Sequence, residues 1–405
     1  MTVRPRVATP LAMLLLGLIG PVVYVSPTSL AAVVPLAGLA LLAACPRDQL
    51  LADWLTPAWV LGLVAAAALV TAPTALDAGW AWQRSARLIA ELLAASLLIA
   101  TLPRFGEPGL RAIALGFGVG AAFALLDLAL AGALSGWARS HPDPHSIRIS
   151  YSRGAVAHAL MLVPLGVMLA RRGAWGVALA LALPGLGAVA VLTSLSAQVA
   201  ILAAAVVLVL VLAVPATVWV VAAMPLVALA LAPQIPYDPS GPLGCAVAAS
   251  KPSALHRLHI WDFVATRVGE RPWLGHGIEA SRSLPGGKAV IDLKTCGPQA
   301  EVIARGEQVP LHPHNAALQV WLELGAVGVI AVAIALVLAG RRVVALVVRD
   351  RWAGAAGAAL AASALSAALI SYGLWQNWWL MILALVAAVH ATIARPSLTR
   401  QSAAP

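Results

Sequence analysis

The feature that most restricts the fold of this chain is a series of apolar runs, each about as long as the 20 residues that a helix needs to cross a bilayer. Twelve such runs follow one another along the 405 residues. Only 10% of the residues are charged, whereas about a quarter are charged in a typical soluble domain. We therefore predict an all-α polytopic membrane protein. The twelve predicted spans cover residues 11–25, 28–45, 54–72, 86–102, 109–135, 153–170, 174–192, 197–213, 217–232, 317–340, 352–371 and 374–394.

The distribution of arginines between the connections predicts the orientation of the spans. With the first residues inside the cell, the inner segments hold thirteen arginines and the short outer connections hold five. Short cytoplasmic loops of membrane proteins collect Lys and Arg. We therefore expect both termini in the cytoplasm. The two spans on either side of Val214-Pro215 are nearly continuous, and we expect the proline to break them because it cannot donate the helical hydrogen bond.

The predicted spans and the polar segments divide the chain into three parts. Residues 1–232 hold nine spans and a short basic outer loop at 136–152. Residues 233–316 form one large outer loop, and residues 317–405 hold the last three spans and a cytoplasmic tail. The large loop has more than eighty residues, which is far longer than a usual connection, so we expect it to be functional.

The large loop contains its own local signals. Pro252-Ser253 is typical of a helix start and Gly269 of a helix stop, so we predict a short helix between them. Trp261 on this helix suits a position at the membrane surface. Cys245 and Cys296 also lie in the loop, and the sequence leaves open whether they form a disulfide or stay as free thiols.

Two histidines and an asparagine, His312, His314 and Asn315, stand where the large loop ends and an apolar helix begins. Asn315 is a good N-cap, and Gln319 and Glu323 follow at intervals of four, which places all three on one helical face. Histidine exchanges a proton near neutral pH, so His314 is our candidate general base and His312 the second. Asn315, Gln319 and Glu323 are candidates for orienting the site. A pair of ordinary loop histidines beside a structural polar stripe is the alternative.

Three arginines are expected on the same outer side as the histidines. Arg153 opens the sixth span, Arg257 lies in the predicted loop helix, and Arg148 lies in the short basic loop. The planar guanidinium group matches phosphate oxygens, so these arginines are candidate anion-binding residues. Exposed arginines are often solvated or bind lipid headgroups. Their role therefore depends on whether they converge with the histidines.

Glycines and tryptophans predict further contacts near the last spans. Gly325 and Gly328 are expected to let a neighbouring helix approach closely. Trp375, Trp378 and Trp379 fit an aromatic belt at the outer membrane interface.

Several classes of partner are disfavoured by the sequence. The net charge of +10 is explained by Lys and Arg in cytoplasmic loops, and no basic run with interleaved aromatics is present, so we expect membrane lipids and no nucleic acid as partners. The three cysteines lack metal-ligand spacing, and no nucleotide-binding or zinc-protease motif occurs. We therefore expect neither a bound metal nor a cofactor.

Three motifs, taken in order, resemble the O-antigen ligase and polymerase superfamily. They are Ser152-Arg153-Gly154, then Arg257-x-x-x-Trp261 with Arg271-Pro-Trp-Leu-Gly275-x-Gly277, and finally His314-Asn315-x-x-Leu318-x-x-x-Leu322-Glu323-Leu324-Gly325-x-x-Gly328. The twelve spans and the large loop before the histidine helix agree with this resemblance. One departure is residues 193–198, where the family often has a second arginine motif and this chain has no arginine; no charged site residue is assigned there, and Gln198 is the polar residue that would take its place.

The resemblance implies a GT-C-like fold with a large periplasmic loop that contains short helices. It also implies an inverting, metal-independent glycosyltransferase of the bacterial inner membrane, with its active site facing the periplasm. Such a ligase moves O-antigen from undecaprenyl diphosphate to lipid A–core oligosaccharide. Its general base would be His314 or His312, and Arg153, Arg257 and Arg148 would bind the diphosphate.

Other functions stay open at this point. An O-antigen polymerase uses the same donor with another carrier-linked glycan as acceptor, and a protein O-oligosaccharyltransferase differs again only in its acceptor. A transporter of a lipid-linked anion is less favoured, because it would need charged residues deep in several facing spans. The glycan, the acceptor sugar and the oligomeric state are not predicted.

Overall fold

The computed structural model describes residues 5–45, 50–136, 144–192, 194–248 and 251–395. These ranges fold into fifteen α-helices and one two-stranded hairpin. The helices are α1 Pro5–Val25, α2 Leu30–Ala44, α3 Leu50–Thr71, α4 Ala78–Thr101, α5 Gly106–Ala129, α6 Ala133–Gly136, α7 Pro144–Arg171, α8 Trp175–Leu192, α9 Leu195–Ala213, α10 Thr217–Leu231, α11 Pro242–Ala248, α12 Pro252–Glu270, α13 Ala316–Arg349, α14 Arg351–Ile370 and α15 Asn377–Ile393. The strands are β1 Val290–Lys294 and β2 Val302–Glu307.

The predicted class is confirmed, and each of the twelve predicted spans overlaps one long helix; the span at 109–135 runs past the end of α5 at Ala129 into the short helix α6. Eleven of the helices within the described ranges are long and apolar enough to cross a membrane, and α15 is a shorter apolar helix of 17 residues. The expected break at Val214-Pro215 is present, since α9 ends at Ala213 and α10 begins at Thr217. Apolar length and proline were therefore sufficient signals for these elements.

Small residues decide how closely the helices pack. A side chain added at Gly20 of α1 would lie 2.1 Å from the backbone carbon of Gly116 on α5, so the two helices meet backbone to backbone. On α14, the alanines at 355, 358 and 359 are fully buried in a cluster that includes Ala204 and Val211 of α9. Close packing of small residues is the usual way that helices associate in a membrane, where apolar surface has no water to avoid.

The large loop is a compact unit of helices α11 and α12 and the hairpin. Helix α12 begins at Pro252 and ends at Glu270, as its start and stop signals predicted. Strands β1 and β2 pair antiparallel, with Val290 opposite Glu307. The Cys245–Cys296 pair, which the sequence left open, is disulfide-bonded, with Cα atoms 5.4 Å apart. The sequence analysis predicted only helices here, because the strands are short and largely exposed and so carry no clear alternation.

One predicted loop boundary and the predicted location of three tryptophans need correction. The basic outer loop expected at 136–152 is shorter than predicted, because α7 already begins at Pro144; residues 137–143 lie outside the described residues. The aromatic belt is wrong, since Trp375, Trp378 and Trp379 are each at most 3% exposed and pack inside the protein. Burial in the bundle and placement at a membrane interface give the same tryptophan-rich pattern.

The loop packs on one end of the bundle, which we call the loop face. The starts of α4, α9 and α13 and the connection between α14 and α15 meet there, as their mutual hydrogen bonds show. Helix α7 also starts near this face and carries Arg153 toward it, in a cleft with residues of α4 and of the loop. The residues singled out by the sequence therefore come from separate segments to one end of the molecule.

Candidate functional site

The junction between the loop and α13 is built by Asn315. Its side-chain Oδ1 accepts hydrogen bonds from the backbone N–H groups of Ala317 and Leu318, at 3.0 and 3.1 Å, so the predicted N-cap is confirmed. Immediately before it, His314 has a φ of 57°, a left-handed conformation that residues with a side chain seldom adopt. This sharp turn directs the chain into the helix and sets the imidazole of His314 beside the connection between α14 and α15.

Hydrogen bonds determine which nitrogen of each histidine carries a proton. The Nδ1 atom of His314 lies 2.5 Å from the carbonyl oxygen of Ser371, and because a carbonyl only accepts, Nδ1 is the protonated nitrogen. The Nδ1 atom of His312 accepts the backbone N–H of His314 at 3.2 Å, so its ring proton is on Nε2. In their neutral forms, His314 therefore has an Nε2 lone pair available, whereas His312 has an Nε2–H donor.

The surroundings of the two histidines favour their neutral forms. Burial lowers the pKa of His312 to about 3, and the positive charges of His314, Arg282, Arg257 and Arg153 lower it further in that order. Burial likewise lowers the pKa of His314 to about 4; the hydrogen bond to Ser371 opposes this shift and the charge of Arg257 adds to it. The charges of Arg153 on α7, Arg257 on α12 and Arg282 after α12 thus act on His312, and that of Arg257 also acts on His314.

Tyr372 lies between the same groups. Burial raises the pKa of its phenol, while the charges of Arg153 and Arg257 oppose that rise. Arg257 itself is half-buried, its Nη1 donates to the carbonyl of Ser253 at 3.1 Å, and burial lowers its pKa. Its buried Nε has no hydrogen-bond partner among the described residues. A half-buried guanidinium with a spare Nε–H donor is the arrangement that an anionic ligand would complete.

A cleft of about 330 Å³ opens on the loop face, and two arginines that line it, Arg153 and Arg282, lower the pKa of His312 by their charge. Its basic residues are Arg84 and Arg87 of α4, Arg153 of α7 and Arg282 of the loop. Arg84 is only 5% exposed, and it pairs with Glu279 at 2.9 Å and donates to the carbonyl of Trp375 at 3.0 Å. Arg282 also pairs with Glu279, at 3.1 Å, and Arg87 pairs with Glu91 at 3.0 Å, so the cleft keeps a net positive charge and Arg153 is in no ion pair among the described residues.

Sequence reasoning placed some of these residues and missed others. Arg153 lines the cleft, and the charge of Arg257 lowers the pKa of both histidines. Both positions agree with their selection as candidate anion-binding residues. Arg148 is exposed and does not line the cleft. Arg84 and Arg282 were not singled out, although the arginine at the start of a predicted apolar span was a usable signal for Arg84. For Arg282, which follows an irregular loop, no local signal exists.

The polar stripe on α13 holds the loop in place. Glu323 is fully buried, and its carboxylate accepts hydrogen bonds from four donors. These donors are the backbone N–H of Glu279 at 2.8 Å, the Ser281 hydroxyl at 2.6 Å, the Trp375 indole at 2.7 Å and the Gln319 amide at 3.2 Å. The Gln319 amide oxygen in turn accepts the N–H of Leu374 at 2.8 Å. Gln319 and Glu323 thus connect α13 to the loop and to the α14–α15 connection, whereas Asn315 caps the helix itself.

Helix α13 is broken at Gly325, whose φ of 57° and ψ of −157° are not helical. In a regular helix the N–H groups of residues 326 and 327 would bond to the carbonyls of residues 322 and 323. Segment 272–277 of the loop inserts instead and satisfies all four groups. The four bonds are Ala326 N–H to Pro272 O at 2.8 Å, Val327 N–H to Trp273 O at 3.2 Å, His276 N–H to Leu322 O at 2.8 Å and Gly277 N–H to Glu323 O at 2.9 Å.

The insertion corrects the role expected for two glycines. A Cβ added at Gly325 would lie 2.5 Å from the backbone of Trp273, and one added at Gly275 would lie 2.5 Å from that of Glu323. Gly325 therefore admits the loop backbone rather than a neighbouring helix. At Gly328 a Cβ would meet the side chain of Leu324 on the same helix, 2.2 Å away. The break in α13 removes the regular geometry on which the sequence prediction relied.

Two further polar contacts surround His314. The hydroxyl of Ser371, whose carbonyl binds His314, donates to the hydroxyl of Ser196 at 2.6 Å. Ser196 lies near Gln198 in the segment that holds no arginine, and Gln198 is exposed. On the loop side, the Trp261 indole donates to the carbonyl of Pro313 at 2.8 Å, so the polar edge of this indole faces the protein and not the membrane surface as expected.

The described residues contain no group of three or more His, Cys, Asp or Glu side chains that could hold a metal ion. The charged groups around the histidines are instead arginines. The arrangement can bind an anion with several oxygens, and it can accept a proton at Nε2 of His314 beside that anion.

Comparison with known proteins gives an independent finding. Residues 145–333 match the family model described as O-Antigen ligase. A protein of Rickettsia prowazekii named "Putative polysaccharide ligase" is 36% identical over 137 residues, which cover 33% of this chain and 31% of the relative. Proteins of Rickettsia conorii and Rickettsia typhi, whose names contain the same words, are 34% and 35% identical over 33% of this chain and over 30% and 31% of their own lengths. The matches therefore span less than a third of the curated relatives.

Proposed function

Because residues 145–333 match the O-antigen ligase family, which confirms the resemblance for that part of the chain, we propose that the protein is an inverting glycosyltransferase. It transfers O-antigen from undecaprenyl diphosphate to lipid A–core oligosaccharide at the periplasmic face of the inner membrane. The observation that carries the proposal is the convergence of arginine charges on the histidines: Arg153, Arg257 and Arg282 lower the pKa of His312, and Arg257 also lowers that of its neighbour His314. All of these residues lie within the matched segment.

The proposed reaction is a single displacement at the anomeric carbon of the donor glycan. A hydroxyl oxygen of the acceptor sugar forms the new bond to that carbon from the face opposite the diphosphate. The bond between the carbon and the phosphate oxygen breaks, and its electron pair leaves with the diphosphate. The proton of the attacking hydroxyl passes to Nε2 of His314. The configuration at the anomeric carbon is therefore inverted.

His314 is the general base in this proposal, and His312 positions it. Supporting this division, the hydrogen bond to Ser371 leaves the Nε2 lone pair of His314 free, while His312 uses its only lone pair on the backbone N–H of His314. The low pKa of His314 keeps it unprotonated before the substrate binds. Binding of an anionic diphosphate beside it raises its pKa and so strengthens it as a base when the reaction requires it.

The arginines stabilise the charge that develops on the leaving diphosphate. Arg153 and Arg257 are the proposed diphosphate ligands, and Arg282 joins them because its charge, like theirs, acts on His312. Preorganised charges aimed at a leaving group commonly make the greatest single contribution to the rate of such reactions. Arg148 lies further out and retains only the predicted role of an auxiliary ligand. With arginines in this position, a chelator is expected to leave the activity unchanged.

The orientation rests on two independent features. The arginine distribution favours cytoplasmic termini, and the Cys245–Cys296 disulfide supports a loop face in an oxidising compartment, because disulfides seldom persist in a bacterial cytoplasm. The loop face and its arginine cleft are thus proposed to face the periplasm.

The lipopolysaccharide pattern of a deletion strain tests the function. Core without O-chain, together with long carrier-linked chains that accumulate, is the result expected for a ligase. Core that carries a single O-unit would instead identify a polymerase, and normal lipopolysaccharide with an altered glycoprotein would identify a protein O-oligosaccharyltransferase. Complementation with His314→Ala is expected to fail at a normal protein level. The matched control is His259→Ala in the same loop, which is expected to restore ligation.

A further inference from the structure

A second basic cleft lies at the end of the bundle opposite the loop face. It has a volume of about 250 Å³ and is formed by the ends of α7, α13 and α15 and the start of α14. Its charged residues are Arg171, Arg172, Arg349, Asp350 and Arg395. None of them takes part in the site around His314.

The positive charge in this cleft is only partly neutralised. The Asp350 carboxylate caps α14 by accepting the N–H groups of Trp352 and Ala353, at 3.1 and 3.0 Å. Arg395 pairs with Asp53 at 2.7 Å. Within the described ranges, no carboxylate lies at ion-pair distance from the three remaining arginines. Three guanidinium groups therefore face one aspartate.

Beneath the arginines the cleft is apolar. Its floor consists of Met168, Leu346, Ala353 and Ile393, each at most 5% exposed. Trp352 stands at the rim, 36% exposed, and the guanidinium of Arg171 lies 4.1 Å from the centre of its ring. A small soluble anion has no apolar group that could contact this floor. A lipid brings a phosphate group and an apolar chain together.

The position of the cleft along the helices agrees with a lipid. Arg171 and Arg349 are the last residues of α7 and α13, two helices long and apolar enough to span a membrane. Where such helices end, the hydrocarbon region gives way to the phosphate-bearing headgroups. Basic pockets between transmembrane helices at this depth bind anionic headgroups.

The geometry points to a binding site for the phosphate headgroup of an anionic phospholipid, which is separate from the glycan-transfer site and does not depend on the proposed reaction. Arg172 and Arg349 bind the phosphate oxygens, since neither guanidinium group has an ion-pair partner in the described part of the chain. Arg171 and Trp352 close the rim, and the apolar floor contacts the start of an acyl chain.

Thermal unfolding of the full chain in a neutral detergent tests the site. Dioctanoyl phosphatidylglycerol is expected to raise Tm saturably, by about 2 °C or more, because a ligand bound only to the folded state stabilises it. Dioctanoyl phosphatidylcholine and inorganic phosphate, at equal concentration and ionic strength, are expected to leave Tm unchanged. An equal shift with inorganic phosphate would show an anion site without lipid specificity and overturn the proposal.

Paired variants separate a built site from general surface charge. Arg172→Gln with Arg349→Gln is expected to abolish the shift caused by phosphatidylglycerol. Arg111→Gln with Arg341→Gln removes the same amount of charge from exposed positions outside the cleft. This double variant is expected to keep the Tm shift caused by phosphatidylglycerol. Equal loss in both double variants would refute the site. If Arg172→Gln with Arg349→Gln lowers Tm even without ligand, native mass spectrometry of the wild-type protein replaces this comparison. Absence of a retained anionic lipid in that spectrum would refute the proposed site.

Discussion

The Nδ1 atom of His314 donates a hydrogen bond to the carbonyl oxygen of Ser371 at 2.5 Å. This contact joins residues 57 positions apart and leaves Nε2 of the same ring as the free lone pair. The neighbouring His312 has the opposite arrangement, with its Nδ1 occupied by the backbone N–H of His314. Two histidines that the sequence left equivalent therefore differ in what each can do with a proton.

Asparagine substitutions distinguish the two histidines, because an asparagine side chain reproduces groups near Nδ1 but nothing at Nε2. His314→Asn is expected to lower the transfer rate by about 10²–10⁴-fold, the usual loss of a general base. His312→Asn retains an acceptor for the N–H of His314 and is expected to lose much less. Transfer of labelled glycan in membrane vesicles, at matched protein levels, measures both. The reverse order of losses would assign the base to His312.

The acid limb of the pH–rate profile tests the state of His314. Burial lowers its pKa to about 4, so nearly all of the ring is unprotonated from about pH 5 upward. The value of kcat/KM is therefore expected to stay level from neutral pH down to about 5 and to fall only near pH 4. Arg257→Gln removes a charge that lowers this pKa, so the limb should move to higher pH. Arg305→Gln on the exposed hairpin should not move it, and a limb near 6.5 in the wild-type protein would contradict the assignment.

Substitution of Glu323 is expected to lower the stability of the fold, without a direct effect on the transfer reaction. In Glu323→Gln one acceptor oxygen is replaced by an NH₂ donor; since Ser281 donates to Oε1 and the Trp375 indole to Oε2, one of these two buried donors then faces an NH₂ group. Each unsatisfied group costs roughly 1–3 kcal/mol, so the unfolding midpoint should fall clearly. Glu301→Gln, at an exposed position, is the control. A variant with unchanged stability and lost activity would instead make Glu323 a catalytic residue.

The insertion of the loop into α13 predicts strict demands at two glycines. Gly275→Ala and Gly325→Ala each place a Cβ 2.5 Å from opposing backbone, and both positions have positive φ. We expect losses of roughly 1–3 kcal/mol from each and faster proteolysis of segment 272–277. Gly269→Ala, with nothing near its Cβ, is the control and should be neutral. Unchanged protection of the loop in Gly325→Ala would argue against the inserted segment.

The disulfide predicts the reactivity of the three cysteines. Cys245 and Cys296 are bonded and Cys45 is buried, so a thiol reagent should label none of them in the native, unreduced protein. Reduction should expose two reactive thiols, and Cys245→Ser with Cys296→Ser should lower stability by about 2–4 kcal/mol. Full labelling of both without reductant would show that the bond is absent.

Much of the fold was predictable because its signals are local. Twelve apolar runs specified the helices, Pro215 separated two of them, and Pro252 and Gly269 bounded the loop helix. The spacing of Asn315, Gln319 and Glu323 placed them correctly on one face. Trp375 shows where such signals end, because its pattern suited a membrane interface while its indole in fact binds the buried carboxylate of Glu323.

The sequence by itself determined the membrane class, the twelve apolar helices, the helix of the large loop, the N-cap at Asn315 and the histidines that merit attention. Only the tertiary structure decided which side chains meet: the buried ion pair of Arg84 with Glu279, the break of α13 at Gly325, and the carbonyl that orients His314. The physical reason is distance along the chain. Hydrophobic length and helical periodicity act within one element, whereas these contacts join separate elements and follow from how the helices pack around the loop.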